Sequence, residues 1–170
     1  MRPFPSTLAL CGFFALAALA PVGAAAQTQV GPYLAYHDDM DLGIGGFFKV
    51  GVPSLAPNLS FGVDVGAFFP DDSPNVDFEY FEINLDAFYD IPVQDAAVTP
   101  FVMGGLRIGR ISVDNDLIGD DYSDTDLAVN MGGGVEFGSG NVRPVAGLKI
   151  ELGDGSAFVL FGRLAFGTGG

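Results

Sequence analysis

The stretch from Thr125 to Leu152 alternates between apolar residues and polar or small residues with a period of two. Leu127 and Val129 fall on one face of its first half, and Leu148 and Ile150 fall on the same kind of face in its second half. A period of two is typical of a β-strand, and the turn at 139–141 joins two such runs. The stretch therefore predicts a β-hairpin whose second face alternates glycine with charges of both signs.

The same alternation recurs along the chain and predicts eight strands. They are Val30–His37, Leu42–Val50, Leu59–Phe69, Tyr80–Asp90, Pro100–Val113, Leu127–Phe137, Val142–Leu152 and Ser156–Phe166. Most have about ten residues, the length that a tilted strand needs to cross a bilayer. Eight strands can close into a barrel whose interior is filled by side chains, and closure leaves no unpaired edge in lipid. The predicted fold class is all-β: an eight-stranded antiparallel up-and-down transmembrane β-barrel.

Charged residues decide which face of these strands is the inner one. Opposite the apolar stripes lie Lys49, Asp64, Glu82, Asp86, Asp90, Arg107, Glu136, Arg143, Lys149, Glu151 and Arg163. Their signs nearly balance although the whole chain carries a formal net charge of -14. A confined space requires such balance, because an unpaired charge away from water is costly. We expect a structural network of ion pairs inside the barrel, with the apolar faces turned to lipid. A soluble, lipocalin-like barrel would reverse the two faces.

The remaining acidic residues concentrate in alternate connections. Residues 38–41, 71–77, 114–124 and 154 carry them, whereas the other connections contain one acid, Asp95. Alternate connections of an up-and-down barrel meet at one rim. We therefore predict one acidic rim with the longer loops, facing outward, where it would meet lipopolysaccharide through divalent cations. The stretch 114–124 is expected to be the longest loop.

That loop is also the one candidate for a metal site. Asp114, Asp116, Asp120 and Asp121 offer carboxylates for weak, low-specificity binding of Ca²⁺ or Mg²⁺. The EF-hand pattern fails, because Thr125 stands where the bidentate Glu belongs. The alternative, a solvated acidic loop, is favoured.

The first 26 residues predict a cleaved signal peptide, with residues 27–170 as one barrel domain. Arg2 precedes an apolar segment from Leu8 to Ala20, and small residues at 24–26 precede the expected cleavage site. The segment is too short for a membrane-spanning helix. Cys11 is the only cysteine and would leave with the signal, so no disulfide is expected in the mature chain.

Catalytic chemistry finds little support in the sequence. His37 is the only histidine and is followed by two aspartates, but no serine motif accompanies it. We interpret it as a rim histidine in a polar loop. Nucleic acid is excluded as a partner, because the acidic chain has too few cations to neutralise phosphates. No cofactor is expected.

Several segments resemble the eight-stranded outer-membrane barrels of the OmpA, OmpX and OmpW type. They are Pro100–Gly109 (PFVMGGLRIG), Met131–Phe137 (MGGGVEF), the Arg143-Pro144 pair and Gly162–Phe166 (GRLAF). The resemblance covers the mature chain and implies location in the cell outer membrane of a Gram-negative bacterium. It also implies contact with the outer-membrane assembly machinery. Family members often end on an aromatic residue, whereas Phe166 is followed here by Gly167-Thr168-Gly169-Gly170.

These observations predict a monomeric, non-enzymatic outer-membrane barrel with a structural or surface-interaction role and a plugged lumen. Inner-face Phe47, Phe68, Phe88 and Phe161 support the plug. Two alternatives stay open. One is a narrow porin-like channel for ions or small solutes, and the other is a lipid-modifying enzyme that uses His37.

Overall fold

The computed structural model describes residues 27–70, 76–94, 97–115 and 121–168. These residues form eight strands: β1 Thr28–His37, β2 Asp41–Gly51, β3 Leu59–Phe69, β4 Val76–Asp90, β5 Val98–Asn115, β6 Asp121–Phe137, β7 Val142–Leu152 and β8 Ser156–Thr168. No helix in these ranges is long and apolar enough to cross a membrane. The predicted signal peptide lies outside the described residues, and its cleavage stays a prediction.

Each strand pairs antiparallel with the next, and β8 pairs with β1. The closing pair sets Tyr33 opposite Arg163 and Val30 opposite Phe166. The order around the barrel is the order along the chain, which is the up-and-down topology. The predicted fold class is confirmed.

The two faces of the sheet meet opposite environments. Leu148 is 45% exposed on the outer surface, whereas its neighbour Lys149 is 1% exposed inside the barrel. Along β1 the outward Leu34 and Tyr36 alternate with the buried Tyr33 and Ala35. The barrel thus has an apolar exterior and a charged, aromatic interior, which is the reverse of a soluble barrel with an apolar core.

The shorter strands have the length of an apolar membrane layer. β2, β3 and β7 each contain 11 residues. At about 3.4 Å per residue and a tilt of about 40°, such a strand rises about 28 Å. The lipid-facing band of an outer-membrane barrel is about 25 Å tall. These strands therefore span such a band with little left over.

Glycines on the inner face make room for the aromatic rings. A Cβ atom at Gly43 would lie 2.6 Å from Cδ1 of Phe68, and one at Gly147 would collide with the ring of Phe161. Both rings are buried in the barrel. The alternation of glycine with large residues on this face thus lets a narrow barrel enclose phenylalanine side chains.

Strands β4, β5 and β6 are longer than predicted, and the expected loop at 114–124 is shorter. They contain 15, 18 and 17 residues, and β5 pairs with β6 up to Asp114 opposite Asp121. β6 pairs with β7 only from Val129 onward, opposite Leu152. The three strands therefore project beyond the neighbouring strands as a sheet extension (residues 76–79, 109–115 and 121–128). The loop prediction was wrong at both ends because backbone pairing continues where side-chain alternation stops.

Candidate functional site

The eleven charged residues predicted for the inner face are distributed through the interior, from the acidic rim to the opposite rim. Nine are buried, namely Lys49, Asp64, Glu82, Asp86, Arg107, Glu136, Lys149, Glu151 and Arg163, and Asp90 and Arg143 are half-buried. They lie on seven of the eight strands and form several clusters, two of which share Glu151.

The upper cluster centres on Arg107. Its Nε lies 2.8 Å from Oε2 of Glu151, and its terminal nitrogens contact the Tyr80 hydroxyl and the Asp126 carboxylate. His37 Nε2 lies 3.6 Å from the same Glu151 oxygen, while its Nδ1 accepts a hydrogen bond from the backbone N–H of Asp39 at 3.1 Å. The guanidinium thus links three strands, as its planar fork of donors permits.

The central cluster centres on Lys149. Its Nζ lies 2.7 Å from Glu151 Oε1, donates to Asn84 Oδ1 at 2.8 Å and lies 3.5 Å from Glu82 Oε1. Asn84 donates to Glu82 Oε1 at 2.8 Å. The amide of Asn130 donates to Asn84 Oδ1 at 2.8 Å and to Asp86 Oδ1 at 3.1 Å. One hydrogen-bonded chain therefore joins β4, β6 and β7 across the lumen.

Arg163 occupies an aromatic cage beside this chain. Its guanidinium contacts the Asp64 carboxylate, and its central carbon lies 4.6 Å from the ring centroid of Phe161 and 5.2 Å from those of Phe47 and Phe88. Tyr33 lies 5.8 Å away on a further side. Rings at these distances stabilise a cation electrostatically. The cage fills the lumen at this level.

Two ion pairs lie near the rim opposite the acidic one. Arg143 Nη1 is 2.7 Å from Glu136 Oε1, and Gln29 donates to the other oxygen of that carboxylate at 3.1 Å. Lys49 Nζ is 3.5 Å from Asp90 Oδ1 and 5.3 Å from the ring centroid of Phe88. Both pairs lie inside the barrel near this second rim and fill the lumen there.

A cavity of about 280 Å³ opens at the acidic rim. His37, Tyr80, Arg107 and Glu151 are buried side chains in its lining, and the more exposed acids are Asp39, Asp124, Asp126 and Asp154. The upper cluster is thus the floor of an acidic vestibule.

His37 lies at the acidic rim, as interpreted, but it is buried at the end of a strand and not in a polar loop. His37 is the last residue of β1, is 3% exposed and packs against Phe68 and Tyr80. Its inward parity on β1 was visible in the sequence. In the described part of the chain, no serine or cysteine hydroxyl or thiol is hydrogen-bonded to it. The arrangement offers no activated nucleophile.

Carboxylates of Asp38 and Asp39 lie near His37, with one ligand atom from each residue within 4.8 Å of the others. Two of these ligand atoms already accept hydrogen bonds: His37 Nδ1 accepts the Asp39 N–H, and Asp38 Oδ1 accepts the backbone N–H of Phe158 at 2.9 Å. The grouping is explained as the capped end of β1 and does not indicate a metal.

The predicted divalent-cation site is only partly covered by the structure. Asp114 is the last residue but one of β5, Asp121 begins β6, and the two are register partners. Asp116 and Asp120 lie outside the described residues. The cation site stays a prediction.

Sequence reasoning did not single out Asn84, Asn130, Tyr33 or Asp126 as members of the lumen network. Asn84 and Asn130 are both 0% exposed and supply the hydrogen bonds that connect the acids of β4 to Lys149. The alternation along β4 and β6 places both on the inner face. The sequence argument was based on charged residues, however, and therefore did not include uncharged amides.

Comparison with known proteins supports the architecture. No protein-family model and no curated protein matches the sequence. Among solved structures, the N-terminal β-barrel domain of Pseudomonas aeruginosa OprF is similar, with a TM-score of 0.68 and 16% identity over 84% of this chain and 97% of that one. Neisserial surface protein A gives 0.52 and 24% identity, covering 84% and 94%.

The attachment invasion locus protein Ail of Yersinia pestis is a third similar structure, with a TM-score of 0.58 and 14% identity over 83% of this chain and 97% of that one. All three are eight-stranded outer-membrane barrels. At these identities the likeness concerns the fold, and it agrees with the closed strand order and the apolar exterior. The chain therefore has the fold of the small eight-stranded outer-membrane β-barrels, as its sequence predicted.

Proposed function

We propose that the chain is a monomeric, integral outer-membrane protein with a structural and surface-contact role and without catalytic activity. The observation that carries this proposal is the sheet extension of β4–β6, which projects from the rim where the acidic residues gather. Asp124 and Tyr122 are exposed on it, and Asp39 and Asp154 lie on the neighbouring turns. A surface raised above the apolar band is where an outer-membrane barrel meets molecules outside the cell.

The acidic rim sets the chemistry of the contact. Carboxylates at the headgroup level would repel lipopolysaccharide phosphates unless divalent cations bridge the two, so we assign Mg²⁺ or Ca²⁺ that bridging role. An Ail structure contains the heparin analogue sucrose octasulfate. The rim of this chain has the wrong sign for such a sulfated ligand, and we expect no comparable binding.

The lumen is proposed to be closed to solutes. Phe47, Phe68, Phe88, Lys149 and Glu82 are each less than 2% exposed, so the interior holds side chains at several levels. Conductance of the purified barrel in planar bilayers tests this alternative. Stable unit steps would support the narrow-channel function and contradict a plugged lumen.

Cysteine labelling from outside the cell tests the orientation. Cys11 is the only cysteine of the chain and lies in the predicted signal, so single-cysteine variants have no background in the mature protein. Ser123→Cys, on the sheet extension, is expected to react with a membrane-impermeant maleimide in intact cells. Ser54→Cys, in the exposed β2–β3 turn, is the matched control and is expected to react only after permeabilisation. The reverse pattern would invert the barrel and remove the acidic extension from the surface.

A further inference from the structure

One buried acid of the lumen lacks a cationic partner. Asp86 is 3% exposed, and in the described part of the chain no Lys, Arg or His nitrogen lies within 4.0 Å of its carboxylate. Asn130 donates a hydrogen bond to Oδ1, while Oδ2 has no hydrogen-bond partner. Each other buried acid of the lumen is in an ion pair, so Asp86 is the exception.

The surrounding charges do not compensate for Asp86. The buried charges of the central and upper clusters are three acids, Glu82, Asp86 and Glu151, and two bases, Arg107 and Lys149. The difference, two positive against three negative charges, leaves one negative charge. His37 is not a partner of Asp86 either, because its Nε2 lies 3.6 Å from Glu151 Oε2 and its Nδ1 accepts the Asp39 N–H.

Two further oxygen atoms without partners belong to the hydrogen-bonded chain that contains Asp86. The register partners of Asp86 are Gly62 and Gly105; Asp86 itself fills the space beside Gly105, and the Phe88 ring fills the space beside Gly62. Oδ1 of Asn130 is buried and has no hydrogen-bond partner, as is Oε2 of Glu82. Asn130 is oriented by its donor contacts to Asp86 and Asn84, so its oxygen is the atom left over. The cluster has more acceptors than donors.

We propose that the centre of the lumen binds one small monovalent cation of the Na⁺ or K⁺ type, with Asp86 and Asn130 as oxygen ligands. A carboxylate and an amide oxygen are hard ligands of the kind that such ions take. One positive charge neutralises the cluster, whereas a divalent ion would leave an excess of one. A water molecule would satisfy the hydrogen bonds but would leave the buried charge uncompensated.

The dependence of thermal stability on the cation tests this site. The full mature barrel, folded in zwitterionic detergent micelles, is heated in NaCl or in N-methyl-D-glucamine chloride at equal ionic strength, and Tm is read from heat-modifiable gel mobility. Since a ligand that binds only the folded state stabilises it, Tm is expected to rise with Na⁺ concentration and then to saturate. Asp86→Asn removes the charge with little change of shape and is expected to abolish the Na⁺-dependent shift.

Asp154→Asn is the matched control, because Asp154 is an exposed acid of the rim and its loss should leave the shift intact. Equal Tm values of the wild-type barrel in the two salts would overturn the proposal and indicate that Asp86 carries a proton instead. A shift that persists in Asp86→Asn would overturn it as well. Should that variant fail to fold, anomalous scattering from crystals of the wild-type barrel refolded in a Tl⁺ salt decides: a peak beside Asp86 supports the site, and its absence refutes it.

Discussion

Arg163 is held in the lumen by two kinds of interaction at once. The Asp64 carboxylate neutralises its charge, and the faces of Phe47, Phe88 and Phe161 surround the guanidinium plane. A buried guanidinium needs both the ion pair and the rings, because it has lost its hydration shell and the rings replace only part of that stabilisation. Arg163 is thus stabilised by side chains of several strands, so a single change there affects several contacts.

Arg163→Lys and Arg163→Gln separate the two contributions. The lysine variant keeps the charge beside Asp64 but loses the flat stacking surface, so we expect a loss of about 1–2 kcal/mol in the free energy of unfolding. The glutamine variant leaves Asp64 buried and unpaired, and about 3–5 kcal/mol is expected. Urea unfolding of the folded barrel in lipid vesicles measures both. A glutamine variant as stable as the lysine variant would show that the ion pair contributes little.

Lys149 and Leu148 are adjacent residues that face opposite environments. Lys149→Ala leaves Glu82 and Glu151 without their shared cation, and a loss of about 3 kcal/mol or more is expected in the unfolding free energy. Leu148→Ala removes a side chain that contacts lipid and should cost less. Lys149→Arg restores the charge and should recover part of the loss. Equal or reversed effects of the two alanine substitutions would contradict the assignment of the faces.

At the scale of elements, the sheet extension of β4–β6 differs from the rest of the barrel. Its tip is paired within itself, but residues 121–128 of β6 extend past the end of β7. An edge without a neighbour presents unpaired backbone groups. The exposed Tyr122 and Asp124 on it are consistent with water, not lipid, on that side. The extension is therefore the element best placed for contact with other molecules.

Hydrogen exchange is expected to distinguish the two regions. Amides at 109–113 and 122–126 lie in a three-stranded sheet open to water, and they should exchange faster than those at 145–150 of β7, which has partners on both sides. Mass spectrometry of the barrel in lipid nanodiscs measures both segments in one sample. Equal protection would mean that the extension is as firmly held as the barrel wall.

The whole molecule combines an apolar wall, a charged interior and one acidic end. The first two account for its fold in a bilayer, since a closed sheet satisfies every wall hydrogen bond and the ion pairs neutralise the lumen. The third is a property of one rim only. Within the described residues, Asp39, Asp124 and Asp154 are at that end, whereas Asp90, at the other, is paired with Lys49.

Removal of divalent cations is expected to act through that rim. In bilayers containing lipopolysaccharide, EDTA should lower the Tm of the barrel, because the bridges between rim carboxylates and lipid phosphates are lost. In phosphatidylcholine bilayers the same treatment should have no effect. Heat-modifiable gel mobility provides the readout in both membranes. A similar change in both would place the cation elsewhere than at the lipopolysaccharide contact.

The existence of the strands, their two faces and the inward position of the charges can all be inferred from the order of residues along the chain. Alternation with a period of two is a local property, so β3 and β7 were predicted with their observed ends. The predicted ends of β4–β6 were wrong because a sheet in water needs no apolar face, so these strands continue where the alternation stops. Alternation also places Asn84 and Asn130 on the inner face, but it does not show that they hydrogen-bond to the lumen charges.

Which charges form contacts depends on the closed barrel and not on any single strand. Arg163 and Asp64 are 99 residues apart in the chain, and Lys149 and Asn84 are 65 apart. Their contacts depend on the closure of the barrel and on the register between strands, neither of which is encoded in any one strand. The alternation along β4 predicts that Asp86 faces inward. That it lacks a cationic partner can be seen only when the positions of all the lumen side chains are known. The pattern along the chain thus sets what faces the lumen, and the closed sheet sets what each inward residue contacts.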